Sequence, residues 1–306
     1  MSGERIRVGI LGAGAMAGVH AAAYAGMADV ELIGTFTRDA DRLLDDATAD
    51  AVDICLPTPL HARFAIAALE RGKHVFCETP MALVLEEALA MREAARKAGR
   101  LLQVGLLVRS IAGYRHIKEI ANAGTNGRLL SLRTWRLGSY LRPDAPERKS
   151  HYSNPTTELM TFDLDFAGWL MGAPQRVSAA GAGEVTAVLD YGDGRSAAVG
   201  ASGLMPVGTP FTAGFRALFE GACFELQQVF RNGPPDISFT ISHDKSGPQP
   251  VALRGGNPYE IEVRRFVDCI AGTVDSDLLD AERAIEALRL SLAIQQALAK
   301  GTAVTL

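Results

Sequence analysis

The stretch "RVGILGAGAMAG", residues 7–18, decides the fold of this chain. Residues 7–11 have the apolar character of a buried strand, a glycine-broken turn follows at once, and residues 15–26 have helical character. A strand that passes through a tight turn into a helix begins a βαβ unit. Gly12 permits the turn, Gly14 lets another molecule approach the backbone, and Ala17 is small enough for the helix to pack on the strand.

The same turn predicts a ligand. The first N–H groups of a helix have no partner within the helix, and the positive end of the helix dipole lies there, so a pyrophosphate fits at this point. A glycine-rich turn without a ligand is the alternative, and the strand–turn–helix context disfavours it. The candidates for binding the pyrophosphate of a dinucleotide are Gly12, Gly14, Ala15, Met16 and Ala17.

The end of the second predicted strand, residues 29–39, indicates which dinucleotide binds. NAD sites usually place a carboxylate there for the adenosine ribose, whereas NADP sites place a cation near the additional phosphate. This chain has Thr37 and Arg38, a hydroxyl and a guanidinium that can both bind a 2′-phosphate. In the alternative interpretation Arg38 is solvated and Asp39 or Asp41 holds the ribose. We expect NADP rather than NAD.

Strands and helices alternate up to about residue 110, which predicts a doubly wound parallel sheet with ligands at the carboxyl ends of its strands. Two Pro-containing segments follow predicted strand ends. The further cofactor candidates in these segments are Leu56, Pro57, Thr58, His61, Glu78, Thr79 and Pro80.

Several separated segments resemble one enzyme family in the right order. They are the G-x-G turn, "ALERGKHVFCETPMAL" at 68–83, "LLQVGLLVR" at 101–109, "NPYEIEVRRFVDCIAG" at 257–272 and "GTAVTL" at 301–306. The pattern resembles the glucose-fructose oxidoreductase, inositol dehydrogenase and rhizopine-catabolism family (Gfo/Idh/MocA). The resemblance implies an α/β fold with a Rossmann domain, residues 1–110, and a second α/β domain, residues 111–306, with an open, mostly antiparallel sheet.

The resemblance also implies hydride transfer between NAD(P) and a sugar or cyclic polyol, and a homodimer or homotetramer assembled through the second sheet. The family usually carries a further helix and outer strand after the second strand. Residues 37–52 have room for one crossover helix only, so we expect that edge strand to be missing. Helices are expected at residues 114–123, 259–271 and 280–300, and a hairpin turn at "YGDGR", residues 191–195.

Two departures from the family pattern concern proton transfer. The family carries Glu-Lys-Pro at the strand end and its Lys exchanges a proton with the reacting oxygen, but this chain has Thr79. The segment 156–172 resembles the family's substrate helix, which has an acid, a His four residues later and then Asp-x-Asp. These positions correspond here to Glu158, Phe162, Asp163 and Asp165, so both usual proton carriers are absent.

Another group must then move the proton, because a threonine hydroxyl cannot act as a base near neutral pH. Glu158 and Phe162 share one helix face, so we expect Glu158 to reach the substrate. A partly desolvated carboxylate there could have a raised pKa. In the alternative interpretation Glu158 caps its helix and the aspartates pair with Arg133 or Arg136. The candidates for proton transfer are Glu158, Asp163, His151 and Tyr152, and those for substrate contact are Thr79, Arg109 and Phe162.

The composition excludes some classes of partner. A net charge of −4 over 306 residues, with scattered Lys and Arg, gives no basic stripe for a nucleic acid. The first apolar stretch is glycine-broken and too short to cross a bilayer, so we expect neither an export signal nor a membrane partner. The four cysteines are spread singly through apolar runs, which indicates no metal site and favours a cytoplasmic protein.

Three functions therefore remain open. The first is an NADP-dependent oxidoreductase on a sugar-like carbonyl or hydroxyl, with an unusual acid or base. The second is a non-catalytic family member that binds NADP and acts as a regulator or binding protein. The third is a reductase resembling biliverdin reductase, which also has Ser/Thr-Arg at the second strand end and lacks Lys before the proline.

Overall fold

The computed structural model of the chain describes residues 5–141, 154–231, 233–243 and 247–306. The chain divides into two compact units, residues 1–110 with 256–288 and residues 111–255 with 289–306. Residues 256–288 thus lie in the first unit, whereas the sequence placed them in the second domain. The reason is an apolar helix face, since Val263, Phe266 and Val267 are fully buried and their helix contacts the helix that follows the G-x-G turn.

The strands and helices are numbered in chain order. Up to residue 123 they are β1 (Ile6–Leu11), α1 (Ala15–Ala25), β2 (Val30–Phe36), α2 (Ala40–Leu44), β3 (Ala51–Ile54), α3 (His61–Glu70), β4 (His74–Cys77), α4 (Leu85–Ala98), β5 (Leu102–Val104) and α5 (Ala112–Ala123). The remaining elements are β6 (Leu129–Leu137), α6 (Pro155–Glu158), α7 (Thr161–Met171), β7 (Arg176–Gly181), β8 (Glu184–Asp190), β9 (Ser196–Ser202), β10 (Phe211–Phe219), β11 (Cys223–Phe230), β12 (Asp236–Ser242), β13 (Pro248–Pro250), α8 (Pro258–Ile270), α9 (Ala281–Lys300) and β14 (Val304–Thr305).

The first unit contains a parallel sheet in the order β2-β1-β3-β4-β5. Its central strands are apolar and buried, as expected for a sheet covered by helices on both faces. Strand β2 is the edge strand, and the chain passes through the short α2 to β3 on the other side of β1. The prediction of a sheet without the outer strand is therefore confirmed. Because all five strands are parallel, their carboxyl ends meet at one edge of the sheet.

The second unit contains an open sheet in the order β13-β12-β11-β10-β6-β9-β8-β7-β14. Among the described strands of this second sheet, only the β6–β9 pair is parallel, so the prediction of a mostly antiparallel sheet is confirmed. Side chains of β8 alternate between exposed and buried, which is typical of a sheet with one covered face. Helix α7 packs on β6 and β9 and contacts α5, and it covers that face with a core that includes Phe166 and Phe215.

The predicted hairpin turn is confirmed. The hairpin at residues 191–195 joins β8 to β9, with Gly192 and Gly194 at positive φ. In the run 101–110, strand β5 ends at Val104 and a 3₁₀ turn follows at Leu107–Ser110. A backbone bond from the Leu106 N–H to the Val104 carbonyl closes a tight turn there, and a strand cannot continue through it. Within the described ranges we find no helix long and apolar enough to cross a membrane.

Candidate functional site

Gly12 shapes the turn between β1 and α1. Its φ is +131°, a conformation that side-chain-bearing residues rarely adopt, and its N–H donates to the Phe36 carbonyl at 2.8 Å. A Cβ added there would lie 2.3 Å from the carbonyl oxygen of Cys55. Gly12 therefore lets the ends of β1 and β3 approach each other.

Gly14 leaves the start of α1 open. It is the N-cap residue in an extended conformation, no side chain caps the helix, and the first turn contains no acidic residue. A Cβ added at Gly14 would meet no atom within 4 Å. The unpaired N–H groups of the first turn, which Ala15, Met16 and Ala17 form, thus face open space, as a pyrophosphate requires. The residues present fit a dinucleotide.

We expect substitutions at these two glycines to have different effects, one on stability and the other on dinucleotide binding. Gly12→Ala should destabilise the first unit, because the new Cβ meets backbone at a positive φ. Gly14→Ala should keep the melting temperature but weaken dinucleotide binding by about tenfold or more, because the methyl group occupies the space next to the pyrophosphate. Thermal melting and a cofactor titration of both variants distinguish these effects. Normal binding by a folded Gly14→Ala protein would contradict the assignment of this turn.

Thr37 and Arg38 follow the edge strand β2 and are exposed. Over the described ranges the Arg38 guanidinium makes no hydrogen bond or ion pair, so it is available to an anion. Asp39 and Asp41 are exposed as well, and the Asp39 side chain does not cap α2. The geometry is compatible with both interpretations of the sequence, and the choice between NADP and NAD stays a prediction.

His61 joins the segments after β3 and β4. It is buried at the start of α3, with Nδ1 3.0 Å from the Pro80 carbonyl and Nε2 2.7 Å from the Leu56 carbonyl. Burial lowers the pKa of His61, although the two carbonyl contacts oppose the shift. Because backbone carbonyls occupy both ring nitrogens, His61 positions the loop bearing Pro57 and Thr58. The sequence predicted that His61 binds the cofactor directly.

Thr79 is tied to the backbone at the end of β4. Its hydroxyl donates to the Gly105 carbonyl at 2.8 Å, and its N–H donates to Glu78 Oε2 at 3.1 Å. The hydroxyl proton is thus already used, but the oxygen lone pairs can accept a further hydrogen bond. Thr79 can therefore orient a ligand hydroxyl.

A buried ionic cluster lies beneath these loops, and sequence reasoning did not find it. His20 on α1 is completely buried, with Nδ1 2.8 Å from Asp53 Oδ2 and Nε2 3.0 Å from Glu78 Oε1. Glu262 on α8 lies 3.9 Å from the same Nε2. The available signals were a histidine inside an alanine-rich helix and an aspartate inside an apolar strand. Neither signal identifies its partner.

The cluster holds a positive charge on His20. Burial opposes that charge, but the Asp53 carboxylate and hydrogen bonds with Asp53, Cys55 and Glu78 raise the pKa of His20 far above its ordinary value. Burial, together with the Glu78 charge, raises the pKa of Glu262. Ligand atoms of His20, Cys55 and Glu78 lie within 4.8 Å of one another, as a metal site would require. However, both imidazole nitrogens face carboxylates, which is the arrangement of an ion-paired imidazolium rather than of a metal ligand.

The second unit contains a buried ion pair next to Phe162. Asp163 on α7 is completely buried and accepts a hydrogen bond of 2.8 Å from Arg136 Nε on β6. The Arg136 guanidinium lies 4.6 Å from the centre of the Phe162 ring. Burial raises the pKa of Asp163 to about 6, although the nearby Arg136 charge opposes the shift. Of the two arginines that the sequence offered as partners, the structure pairs Asp163 with Arg136.

Comparisons with known proteins show what the chain is similar to. A family model described as "Oxidoreductase family, NAD-binding Rossmann fold" (GFO_IDH_MocA) matches residues 29–106. The chain is 30% identical over 213 residues to a levoglucosan dehydrogenase of Pseudarthrobacter phenanthrenivorans, a match that covers 58% of this chain and 54% of the relative. Residues 29–106 thus match the Gfo/Idh/MocA oxidoreductase family, and the named relative supports an oxidoreductase of this kind. The chain spans about half the length of curated relatives such as this one.

Two further comparisons agree with this match. A scyllo-inositol 2-dehydrogenase (NAD(+)) of Bacillus subtilis is 26% identical, over 76% of this chain and 84% of the relative. An aldose-aldose oxidoreductase of Caulobacter crescentus, solved with glycerol, superposes with a TM-score of 0.83 at 19% identity, and covers 99% of this chain and 100% of that chain. The latter likeness shows a shared fold.

The functional roles of the remaining candidate residues stay predictions. Glu158 and Asp165 are buried, and both make contacts with neighbouring groups. Arg109 is buried in the first unit and donates to the Leu278 carbonyl at 3.0 Å, a contact that supports the 3₁₀ turn where it lies. His151 and Tyr152 lie outside the described residues.

Proposed function

We propose that the chain is an NADP-dependent oxidoreductase that transfers a hydride to or from a sugar-like or polyol substrate. The observation that carries the proposal is the pair of open anion sites at one sheet edge, the backbone at Gly14 and the unpaired guanidinium of Arg38. Similarity to known enzymes supports it, since two relatives are named as dehydrogenases of levoglucosan and of scyllo-inositol.

The residues have separate tasks in this proposal. The first turn of α1 binds the pyrophosphate, and Thr37 with Arg38 binds the 2′-phosphate. Glu78, Thr79 and Pro80 frame the nicotinamide end, where Thr79 accepts a hydrogen bond from a hydroxyl. The bound cofactor supplies a hydride acceptor or donor, and the protein must move the accompanying proton. We assign that proton to Glu158, with Asp163, His151 and Tyr152 as the next candidates.

We expect NADPH to bind at least about tenfold more tightly than NADH, because Arg38 pairs with the 2′-phosphate. Arg38→Ala should remove about 1.5–3 kcal/mol of that preference, the range for a hydrogen bond to a charged group. Fluorescence titration of the wild type and the variant with both cofactors measures this preference. Arg96→Ala, which removes an exposed arginine of α4, is the matched control and should change neither affinity. Equal affinities of the wild type for the two cofactors would refute NADP specificity.

A substrate screen tests the activity itself. Aldoses, ketosugars, inositols and biliverdin are offered with NADPH or NADP, and turnover is followed by nicotinamide absorbance. Turnover on a sugar or polyol supports the proposal, and turnover on biliverdin alone favours the biliverdin-reductase-like alternative. One observation favours a non-catalytic binding protein. Thr79 and Phe162 stand at the positions where the family that the sequence resembles has its Lys and His. Saturable NADPH binding without any turnover would support that second candidate.

We also propose that the second sheet mediates assembly into a homodimer or homotetramer. Its outward side chains include the exposed Val188, Leu218 and Ile237, and apolar residues on an open sheet favour association. Light scattering during size-exclusion chromatography measures the mass. The cysteines Cys55, Cys77, Cys223 and Cys269 are unpaired, which supports the cytoplasm as the compartment. That neither nucleic acid nor membrane is a partner stays an expectation.

A further inference from the structure

His20 contacts three of the segments that the proposed function assigns to the cofactor. It belongs to α1, whose first turn faces the expected pyrophosphate. Its Nδ1 bonds to Asp53 on β3 and lies 3.5 Å from the Cys55 thiol, next to the Leu56–Thr58 segment. Its Nε2 pairs with Glu78 at the end of β4. No other described imidazole lies between two carboxylates in this way.

The contacts of His20 favour the imidazolium form, because Nδ1 lies 2.8 Å from Asp53 and Nε2 lies at the ion-pair distance of 3.0 Å from Glu78. A neutral imidazole has one N–H, so it cannot donate to carboxylates on both sides. The ring contacts Phe76 on β4 and Tyr259 on α8, and Glu262 on α8 lies 3.9 Å from its Nε2. Its side chain is 0% exposed, so the charge is shielded from water and acts at full strength on its neighbours.

Glu78 transmits this interaction to the end of the strand. One carboxylate oxygen, Oε1, faces His20 at 3.0 Å, while the other, Oε2, accepts the Thr79 N–H at 3.1 Å. Thr79 in turn donates to the Gly105 carbonyl after β5. The chain of contacts runs from a fixed buried charge to the backbone that is expected to frame the nicotinamide.

We propose that His20 is a positioning residue for the nicotinamide end of the cofactor. Its imidazolium holds Glu78, and through Glu78 the Thr79–Pro80 backbone, in the arrangement that binds the nicotinamide. Without that charge, Glu78 and Asp53 become two carboxylates that share a buried site without a cation, and they repel each other. Glu78 then moves away and the strand end loses its fixed position. The inference rests on the proposed cofactor site, but it assigns a residue that does not touch the cofactor.

The test separates the two ends of the cofactor. His20→Gln retains a hydrogen-bonding side chain and removes the charge. We measure NADPH binding by fluorescence, binding of 2′,5′-ADP, which lacks the nicotinamide, by calorimetry, and stability by thermal melting. The expected result is a loss of about tenfold or more in NADPH affinity, with less than about a twofold change for 2′,5′-ADP. His74→Gln is the matched control. His74 lies at the amino end of β4, the strand that Glu78 follows, and its substitution should change neither affinity.

Each outcome decides between positioning and a structural role. Unchanged NADPH affinity in a folded His20→Gln protein would overturn the proposal, and so would an equal loss for both ligands, which a structural role predicts. If His20→Gln does not fold, Glu78→Gln, which removes the other member of the pair, must reproduce the selective loss of NADPH affinity. In a folded His20→Gln protein, adding Glu78→Gln should cause no further loss, because both act through one contact. A wild type that binds neither ligand would refute the cofactor site itself.

Discussion

Replacing Arg136 by methionine is expected to lower the free energy of unfolding by about 3–5 kcal/mol near pH 7, the cost of leaving the buried Asp163 carboxylate without its partner. Arg136 is only 8% exposed and Asp163 is completely buried, so water cannot replace the lost guanidinium. The loss should appear as a lower urea midpoint at an unchanged slope. A decrease below about 1 kcal/mol would contradict the buried ion pair, since that is the range of exposed pairs.

A double substitution is the control for this prediction. Arg136→Met with Asp163→Leu removes both charges and fills the space with apolar groups, and such replacements are often neutral or stabilising. We therefore expect the double variant to be more stable than Arg136→Met alone. Arg176→Met on exposed β7, which breaks the surface pair with Asp190, should cost about 1 kcal/mol or less. The comparison separates burial from charge pairing as such.

The pH dependence of stability gives an independent readout of Asp163. Its pKa is raised from the ordinary 3.8 to about 6 in the folded protein, by burial and against the opposing effect of Arg136. Between these two values the folded state binds more protons than the unfolded state, so this group lowers stability as the pH rises through that window. Asp163→Asn should remove this component of the pH dependence. Denaturation curves across the window in both proteins measure it.

The fold was predictable because local signals along the chain agreed with one another. The G-x-G turn between a strand and a helix, the alternation that followed and the "YGDGR" turn each determine structure over a few residues. The missing edge strand was predictable from length, because residues 37–52 cannot form an additional helix and strand. In contrast, the place of α8 in the first unit depends on contacts between residues more than 200 positions apart, for example Arg264 with Asp29.

The candidate site was predictable where the backbone forms it and not where side chains pair. Gly12 and Gly14 were assigned because a glycine pattern reports backbone geometry directly. The His20 cluster combines side chains from two strand regions and two helices, and no spacing along the chain indicates that they meet. Arg133 and Arg136 looked equivalent in the sequence. Residues three apart on a strand point to opposite faces, so β6 exposes Arg133 and buries Arg136 against α7.

A large effect on turnover is expected from a substitution of the residue that transfers the proton. The structure shows that the Thr79 hydroxyl donates to the Gly105 carbonyl, so its proton is not available to the substrate. It also shows Asp163 in an ion pair with Arg136 through Oδ2, which leaves Oδ1 without a hydrogen-bond partner among the described residues. Glu158, at the end of α6 and only 6% exposed, is the remaining described carboxylate among the candidates. A carboxylate can take up or release the proton that accompanies hydride transfer.

We therefore expect Glu158→Gln to lower turnover by about 100-fold or more, the magnitude of general acid–base catalysis, and Thr79→Ala to lower it by less than about tenfold. Steady-state kinetics on the substrate found in the screen measure both, and melting temperatures show that the variants are folded. Thr79→Lys should not restore sugar dehydrogenase activity, because Phe162 occupies the position of the histidine with which that lysine works in the family. If neither Glu158→Gln nor Thr79→Ala changes turnover, the proton must pass through His151, Tyr152 or water instead, and the assignment of Glu158 is wrong.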